Sequence, residues 1–314
     1  SIGDGNLHQS RAHIKLGDML GAVMLNKNNL PQRFSPLSLR VIILLMHPHV
    51  EEVIWRQFNF TRALSMTHHT KTSVDSVKNI PSNYSRLIAR ELGLTARQLP
   101  ELLQGTGLRA AQLLSDNGLI TSAQQIQILR NALALSGRPG FGLRLGRRLT
   151  PATHGTMGFA ASSSPNLLSA FQAIHTFLPT RVGVIELRLY ETEDNLECRV
   201  TFKIQLDNDL LRCVAELIVT VLLNFGEFIL GRALEEAEIG FTHVAPEYQA
   251  IYAEYLSGRI DFCREQLTLR LPMALCLEPN ASANHESYQL ALQHCEVLLE
   301  QLQAQTSSYQ NRLK

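Results

Sequence analysis

The spacing of apolar residues changes along the chain. Over 82–150 and 166–178, apolar residues recur every three or four positions, as on one face of a helix. Over 182–206 they alternate with polar residues in VGVIELRLY and LECRVTFKI, with the polar ETEDN between them, which predicts a β-hairpin. An N-terminal helical region followed by a mixed sheet packed with helices predicts an α+β fold.

Capping residues mark the ends of two predicted helices. Thr121 or Ser122 is expected to cap a helix that Gly137 ends in the left-handed conformation. The sequence DND at 207–209 is expected to cap a longer and strongly apolar helix, which ends at Gly231. Both helices therefore have a sequence signal at each end.

Further elements are predicted downstream of residue 231. Strands are expected in AEIGFTHV, RIDFC and QLTLRL, and a helix in PEYQAIYAEYLSG. A final helix over 284–304 has apolar residues spaced four and three apart through two heptads, so that it either packs on its own domain or forms a dimer zipper. The residues of this heptad seam are Tyr288, Leu292, Cys295, Leu299 and Leu302.

Residues 153–171, THGTMGFAASSSPNLLSAF, contain the glycines and serines that phosphate-binding loops use. A P-loop needs a lysine after its last glycine, but Phe159 follows Gly158, and no GxGxxG sequence follows a strand. A helix N-terminus at 162–164 offers at most a weak anion site. The stretch is interpreted as a turn and a helix cap, with Ser164 as the cap and Pro165 in the first turn.

Composition excludes several classes of protein. Of 314 residues, 45% are hydrophobic and 18% are charged, which allows a sizeable core and argues against general disorder. The net charge of +1 gives no general attraction to nucleic acid or anionic lipid. The five cysteines lack metal-site spacing and are expected to be reduced thiols. The most apolar run, VIILLM at 41–46, is too short to span a membrane, so a cytoplasmic protein is expected.

No catalytic, cofactor-binding or metal-binding residue is predicted. A GxSxG elbow is absent, and His154, His175 and His243 have no carboxylate or cysteine at a metal-ligand spacing. The carboxylates at 191–194 fall on the expected hairpin turn, where water solvates them. The ligand-binding residues of the protein are not identified at this level, although a pocket is expected between the strands of 182–206 and 235–271 and the apolar helix 210–231.

The first 65 residues differ in character from the rest. They begin with Ser, contain the only Trp, and precede Met66 and a polar tail over 66–81. We interpret residues 1–65 either as an expression leader or translated upstream sequence, or as a genuine helical extension of the protein. Residues 82–283 form the predicted main domain, and 284–314 the final helix and its end.

The order of the central motifs resembles a known family. From ITSAQQIQILRNALALSGRPGFGLRLGRRL through the GTMG turn and its serines, and again in IGFTHVAPEYQAIYAEYLSG, the chain resembles the N-terminal, arabinose-binding-like effector domain of AraC-family transcriptional regulators, in the branch of ornithine-utilisation and virulence regulators. The matching residues are Gly137, Pro139, Gly142, Leu143, Gly146, Gly155, Gly158, Ser164, Pro165, Ala170, Phe171, His243, Pro246, Tyr252, Phe262, Leu271 and Pro272.

The resemblance implies a ligand-sensing and dimerising region that binds a small effector and acts as a homodimer. It also implies a C-terminal DNA-binding domain with two helix-turn-helix units, which is expected to be absent from this chain, because the sequence reaches the linker helix and then stops. No DNA contact is therefore assigned to any residue. Two alternatives stay open: an enzyme or small-molecule carrier on another α+β fold, and a dimerisation module without a ligand.

Overall fold

The computed structural model describes residues 78–115 and 118–312. The predicted leader and most of the polar tail lie outside these residues. The helices are α1 (Asn83–Glu91), α2 (Leu99–Leu102), α3 (Ala110–Leu114), α4 (Ser122–Ser136), α5 (Phe141–Arg148), α6 (Gly155–Ser163), α7 (Leu167–Phe177), α8 (Asn208–Leu230), α9 (Tyr252–Tyr255), α10 (Met273–Cys276) and α11 (His285–Arg312). The strands are β1 (Lys78–Pro81), β2 (Leu119–Thr121), β3 (Ile185–Glu191), β4 (Asn195–Phe202), β5 (Glu238–Gly240), β6 (Arg259–Asp261) and β7 (Leu267–Pro272).

Two sheets confirm the predicted α+β class. The larger sheet has five strands in the order β3-β4-β7-β5-β6, in which only β5 and β6 run parallel among the described strands. The predicted hairpin is present as β3 and β4, with Leu189 paired to Cys198. A smaller antiparallel pair, β1 with β2, was not predicted, because three or four residues show too little alternation to be recognised.

Two hydrophobic cores meet along α8. The first core lies between the five-stranded sheet and α7 and α8, and the second contains side chains of β1, α1, α4 and α5 together with the N-terminal part of α8. Four partly buried side chains contact both cores: Ile185, Phe202, Ile218 and Val221. They mark a seam between the cores, and α8 contributes to both sides of it.

The predicted helix ends of α4 and α8 are confirmed. Thr121 accepts a hydrogen bond from the Gln124 N–H, and the Gln124 side chain reaches back to the Thr121 N–H, which is a reciprocal capping box. Asp207 caps α8 by accepting from the Leu210 N–H at 3.0 Å. The C-terminal glycines of these helices have positive φ, as predicted.

The interpretation of the GTMG stretch was wrong in two respects. Gly155–Ser163 is itself a helix, α6, instead of a turn. The cap of α7 is Asn166, which accepts from the Ser169 N–H at 2.9 Å, while the Ser164 hydroxyl donates to the Ala161 and Asn166 carbonyls. The Ser-Pro pair therefore lies in the connection before the cap, and the residue after it supplies the capping oxygen.

Two glycines allow close contacts between backbones. A Cβ at Gly158 would collide with the Pro151 carbonyl, so this residue lets α6 lie directly on the turn Pro151–His154. A Cβ at Gly142 would likewise collide with the Cys213 carbonyl, so that α5 approaches α8 closely. These two approaches give a structural reason for the glycine spacing noted in the sequence.

The sequence-based expectation that no segment is long and apolar enough to span a membrane was wrong for α8. This helix of 23 residues is long and apolar enough to cross a membrane, with a mean hydropathy of 2.0 over an 18-residue window. It is the central core helix of the fold and is largely buried by the sheet and by α5. Length and composition alone are weak evidence for a membrane span in such a position.

Candidate ligand-binding cavity

A cavity of about 140 Å³ lies at the seam between the two cores. One wall is α8, a second is the β3–β4 hairpin, and the remaining walls come from β1, from α1 and α4 to α7, and from the connections before α6 and after α7. The apolar lining residues are Ile80, Ile88, Leu129, Leu145, Leu149, Met157, Ile174, Leu178, Val182, Ile185, Leu187, Val200, Val214, Leu217, Ile218, Val221, Leu222 and Phe225. Polar lining residues are fewer: Tyr84, Gln125, His154 and Arg181.

This cavity differs in part from the pocket that the sequence suggested. Helix α8 and the β3–β4 hairpin do line it, but no residue of 235–271 does. The inward side chains of that segment, such as Ile239 and Leu269, are fully packed in the first core and leave no space. The opposite wall comes from the N-terminal helices, where no sequence pattern indicated a pocket.

Three polar side chains meet at one end of the cavity, which we call the polar end: Tyr84, His154 and Arg181. The Tyr84 hydroxyl lies 3.0 Å from His154 Nδ1, and the Arg181 guanidinium carbon lies 5.7 Å from the centre of the Tyr84 ring. The His154 ring also contacts the ring of Phe225 on α8. One element each from the N-terminal helices, the α5–α6 connection and the α7–β3 connection thus converges on this point.

Hydrogen bonding at the polar end is incomplete. His154 is 7% exposed, and its Nε2 has no hydrogen-bond partner of normal geometry. The Nε of Arg181 is also buried and without a partner, and its terminal nitrogen reaches the Thr153 carbonyl only at 3.5 Å. No carboxylate among the described residues forms an ion pair with Arg181. Buried polar atoms are paired in most proteins, so two such atoms in residues at one end of the cavity need an explanation.

Burial sets the protonation of the polar end. Loss of solvation, together with the positive charge of Arg181, lowers the pKa of His154 to about 4, and the Leu149 carbonyl offsets only part of this shift. His154 is therefore neutral at pH 7. Burial raises the pKa of Tyr84, and the neighbouring Arg181 partly opposes that rise. Arg181 is thus the charged group at the polar end.

Glycines at the start of α6 place the polar end. Gly155 has φ +59°, and a Cβ there would lie 3.2 Å from a guanidinium nitrogen of Arg181, so glycine leaves room for that side chain. Gly158 lets α6 rest on the turn that carries His154. The HGTMG sequence therefore orients His154 and leaves space for the side chain of Arg181.

A second buried polar cluster lies on the other face of α8. Glu216 is 1% exposed and accepts hydrogen bonds from the hydroxyls of Tyr248 at 2.8 Å and Tyr252 at 2.7 Å. Residues two apart on a helix face nearly opposite directions, so Glu216 points away from Ile218 and the cavity. Burial raises the pKa of Glu216, while the two tyrosines, the Arg212 charge and the Gly142 N–H oppose that rise.

The three histidines considered in the sequence do not come together. His154 lies at the polar end. His175 on α7 contacts the Leu187 carbonyl through Nδ1 at 2.6 Å and is exposed, while His243 packs against Phe241, Tyr252 and Phe262. No group of three His, Cys, Asp or Glu side chains within the described ranges has metal-binding geometry.

The serines at 162–164 are used by their own helix end. Ser162 and Ser163 donate to the Phe159 carbonyl, and Ser164 donates to backbone carbonyls as described above. The amide of Asn280 then donates to the carbonyls of Ser162 and Ser164. The hydroxyls therefore stabilise this connection and do not face a free anion-binding space.

The heptad seam of α11 faces its own domain. Cys295 is 1% exposed and packs with Met157 of α6 and with Ala173 and Phe177 of α7. Leu292 and Leu299 pack against the same cluster, and Tyr288 and Leu302 are half-buried. Of the two roles left open for this seam, the packing role is present in the structure, and the dimer role stays a prediction.

Sequence reasoning missed Tyr84 and Arg181. Tyr84 belongs to the helical pattern of α1, and Arg181 belongs to a short connection, so neither position carries a distinctive signal. His154 was considered only as a catalytic or metal-binding residue and was not assigned a role. The available signal was its place next to GTMG, because glycines with close backbone contacts often accompany a functional side chain.

Three comparisons place the chain among known proteins. Residues 97–280 match the family model described as the arabinose-binding domain of AraC transcription regulator, N-terminal. The chain is 30% identical over 204 residues to the ornithine utilization regulator of Pseudomonas aeruginosa, a match that covers 65% of this chain and 60% of that protein. The crystal structure of the transcriptional regulator CdpR from Pseudomonas aeruginosa aligns with a TM-score of 0.49 and 18% identity over 66% of this chain and 60% of that one.

The matched region contains most of the cavity. It runs from before α2 to beyond β7 and includes His154, Arg181 and all of α8, while Tyr84 on α1 precedes it. The chain spans about 60% of the length of the curated relative that it matches. Because the family model covers more than half of the chain, the protein belongs to the family of effector-binding, arabinose-binding-type domains of AraC transcription regulators.

Proposed function

We propose that this domain senses a small effector by binding it in the cavity between the two cores. The observation that carries the proposal is an apolar cavity with His154 and Arg181 in the wall at one end, where a nitrogen of each lies just beneath the surface without a partner of normal geometry. Ligand sites in proteins are mostly apolar clefts with a few convergent polar groups, which is the composition found here. An effector with an apolar body and a polar group at one end would complete the packing between the two cores.

Effector binding is transmitted from the cavity to α11 mainly through α6. Met157 and Leu178 line the cavity and also contact the cluster that holds α11, so a single layer of side chains separates the effector from this helix. An effector that binds one arrangement of α6 and α11 better than another shifts the population toward it. We propose that α11 carries this shift toward a DNA-binding domain of the regulator.

The effector of this protein differs from ornithine. The curated relative is named for ornithine utilisation. At neutral pH ornithine carries two ammonium groups and one carboxylate, and burying an unpaired ammonium against leucine, isoleucine and valine costs more than the roughly 2–7 kcal/mol of a neutral polar group. The cavity has four polar lining residues at most to satisfy them, and none of these is acidic.

We propose that the domain binds its effector without turning it over. A nucleophile needs an adjacent general base, and the hydroxyl that contacts His154 is the Tyr84 phenol, whose pKa is raised by burial. We further propose that the protein works in the cytoplasm as a homodimer, and that DNA contacts belong to a domain separate from the residues described here.

A thermal-shift screen with a metabolite library, including ornithine, tests the proposal. A compound that raises the melting temperature of the wild type is retested on Val221→Phe, which fills the cavity from α8, and on Val244→Phe, the same change at a position that is 69% exposed. Binding lost only in Val221→Phe supports effector binding in the cavity. Binding that survives in both variants places the effector elsewhere, and a product formed from the compound supports an enzyme.

The dimer is tested by analytical ultracentrifugation of two variants of α11. Leu299 packs inward, so we expect Leu299→Glu to weaken the fold. Leu290 is 66% exposed, and Leu290→Glu leaves the fold intact. A wild-type dimer that dissociates in a folded Leu299→Glu protein supports the heptad seam as the dimer contact, whereas a wild-type monomer contradicts the homodimer proposal.

A further inference from the structure

We infer that the effector is a small, mainly apolar monocarboxylate whose carboxylate is held by Arg181 and His154. The inference rests on the proposed function and adds the chemical class of the ligand. Three features support it. They are the size and lining of the cavity, the fact that the unpaired nitrogens of His154 and Arg181 are donors, and the absence of an acidic partner for Arg181 among the described residues.

The cavity sets the size and polarity of the ligand body. An apolar cavity on the order of 150 Å³ holds a benzene-sized molecule and excludes water. The cavity here has a volume of about 140 Å³ and similar walls of leucine, isoleucine, valine and phenylalanine. A benzene-sized body with a carboxylate at its end amounts to roughly eight to ten non-hydrogen atoms.

The unsatisfied nitrogens of Arg181 and His154 are donors, whereas the buried Asn83 Oδ1 on the residue before Tyr84 is an unpaired acceptor. Arg181 can only donate hydrogen bonds, and it lies beside Tyr84. We therefore assign the phenolic hydrogen of Tyr84 to His154 Nδ1, and this places the ring hydrogen of the neutral imidazole on Nε2. His154 Nε2 and Arg181 Nε are then two buried N–H groups with no acceptor at normal hydrogen-bond geometry, although the Leu149 carbonyl lies near the His154 ring.

A carboxylate meets the requirement of both groups. It carries only acceptors when ionised and takes bidentate hydrogen bonds from a guanidinium. Its charge also compensates Arg181, whereas no lining residue does so. A neutral hydroxyl or amide would satisfy one donor and leave the charge uncompensated.

The two donors lie just beneath the cavity wall, since each atom has almost no exposed surface. A carboxylate therefore reaches them only when the side chains of His154 and Arg181 shift. Arg181 lies against Gly155, the first residue of α6, so this shift is felt at the helix that contacts α11. Binding of the carboxylate therefore moves the same helix, α6, that transmits effector binding to α11.

Isothermal titration calorimetry with four probes tests the inference. Hexanoate and phenylacetate are compared with their neutral isosteres hexanamide and phenylacetamide, at pH 7.5, on the whole chain. We expect each carboxylate to bind at least tenfold more tightly than its amide. In Arg181→Met, which keeps a long side chain over Tyr84, the carboxylates lose at least tenfold in affinity and the amides change less than twofold.

Control variants separate this inference from the proposed function. Arg188→Met makes the same change on the exposed side of β3 and leaves all four affinities unchanged. Amides that bind as tightly as carboxylates, with both lost in Val221→Phe, overturn the carboxylate and keep the cavity as the effector site. Carboxylate binding that is unchanged in Arg181→Met also overturns the inference. If none of the four probes binds, the inference is overturned, and the metabolite screen alone decides on the proposed function.

Discussion

Two polar clusters are buried on different sides of α8, the one around Glu216 and the polar end of the cavity, and they differ in how fully their polar atoms are hydrogen-bonded. Around Glu216, two tyrosine hydroxyls donate to the carboxylate, and each partner contacts another element of the fold. At the polar end, His154 Nε2 and Arg181 Nε have no hydrogen-bond partner of normal geometry. Both clusters are buried, so burial does not distinguish them. They differ in whether each buried polar atom has a hydrogen-bond partner.

The difference indicates which cluster is structural. A satisfied polar network stabilises one arrangement of the elements that it joins, here α8, α5 and the segment before α9. An incomplete network costs stability in the free protein and gains it back when a ligand supplies the missing partner. The comparison therefore predicts opposite responses to substitution, to pH and to ligands.

The largest effect is expected for Glu216→Ala. The substitution leaves the hydroxyls of Tyr248 and Tyr252 without their acceptor and opens a space beside α5, at a cost of about 3–4 kcal/mol in the free energy of unfolding. Urea denaturation measures this loss. Glu235→Ala, at an exposed position in the loop after α8, is the control and changes stability by less than about 0.5 kcal/mol. An equal loss in both variants would contradict a structural role for Glu216.

The next effect is a pH dependence from His154. Its pKa is about 4 in the folded protein and 6.5 when unperturbed, so the unfolded chain binds more protons between these values. Stability is therefore complete above pH 6.5 and lost as the pH falls toward 4, by up to about 3 kcal/mol. Denaturation of wild type and His154→Leu at several pH values checks this. The two curves converge toward low pH if the expectation is correct, and run parallel if it is not.

Glu216 is expected to give a pH dependence of the opposite sign. Its pKa is raised in the folded protein, so the folded state binds more protons than the unfolded one above the unperturbed value of 4.5. The stability that Glu216 contributes is then greatest at low pH and is lost as the pH rises through the folded pKa. In Glu216→Gln this component disappears. A wild-type curve with the same slope as that of the variant would refute the assignment.

The smallest effect on stability is expected for the double variant Tyr84→Phe with His154→Leu. It removes both partners of one hydrogen bond together with the unpaired Nε2, and replacing both partners with apolar groups costs less than about 1 kcal/mol. The single change His154→Leu costs more, because the Tyr84 hydroxyl then loses its partner. Stability close to wild type combined with loss of carboxylate binding would confirm that the polar end serves the ligand.

The elements that the sequence predicted well have their signals within a few residues. The capping residues of α4 and α8 and the alternating β3–β4 hairpin are local patterns, and the structure reproduces them. The heptad seam was also visible, but one sequence cannot tell whether its partner is the same domain or another copy. The structure shows α6 and α7 as the partner in this chain.

The polar end could not be predicted because its three residues are distant in sequence. Tyr84, His154 and Arg181 come together only after α1, the turn before α6 and the end of α7 have packed around α8. The cavity itself depends on what the two cores leave unfilled at Ile185, Ile218 and Val221. A sequence pattern shows that such residues are apolar, but not that the packing around them is incomplete.

The position of α8 in both cores has a consequence for the cooperativity of unfolding. A helix shared by two cores links their unfolding, but a cavity along the shared seam weakens that link. The N-terminal helices can then open without the sheet, and their amide hydrogens exchange faster than those of β4 and β7. A molecule that fills the seam joins the two halves into one cooperative unit, so its presence is recorded in hydrogen exchange throughout the domain and not only at the residues that it contacts.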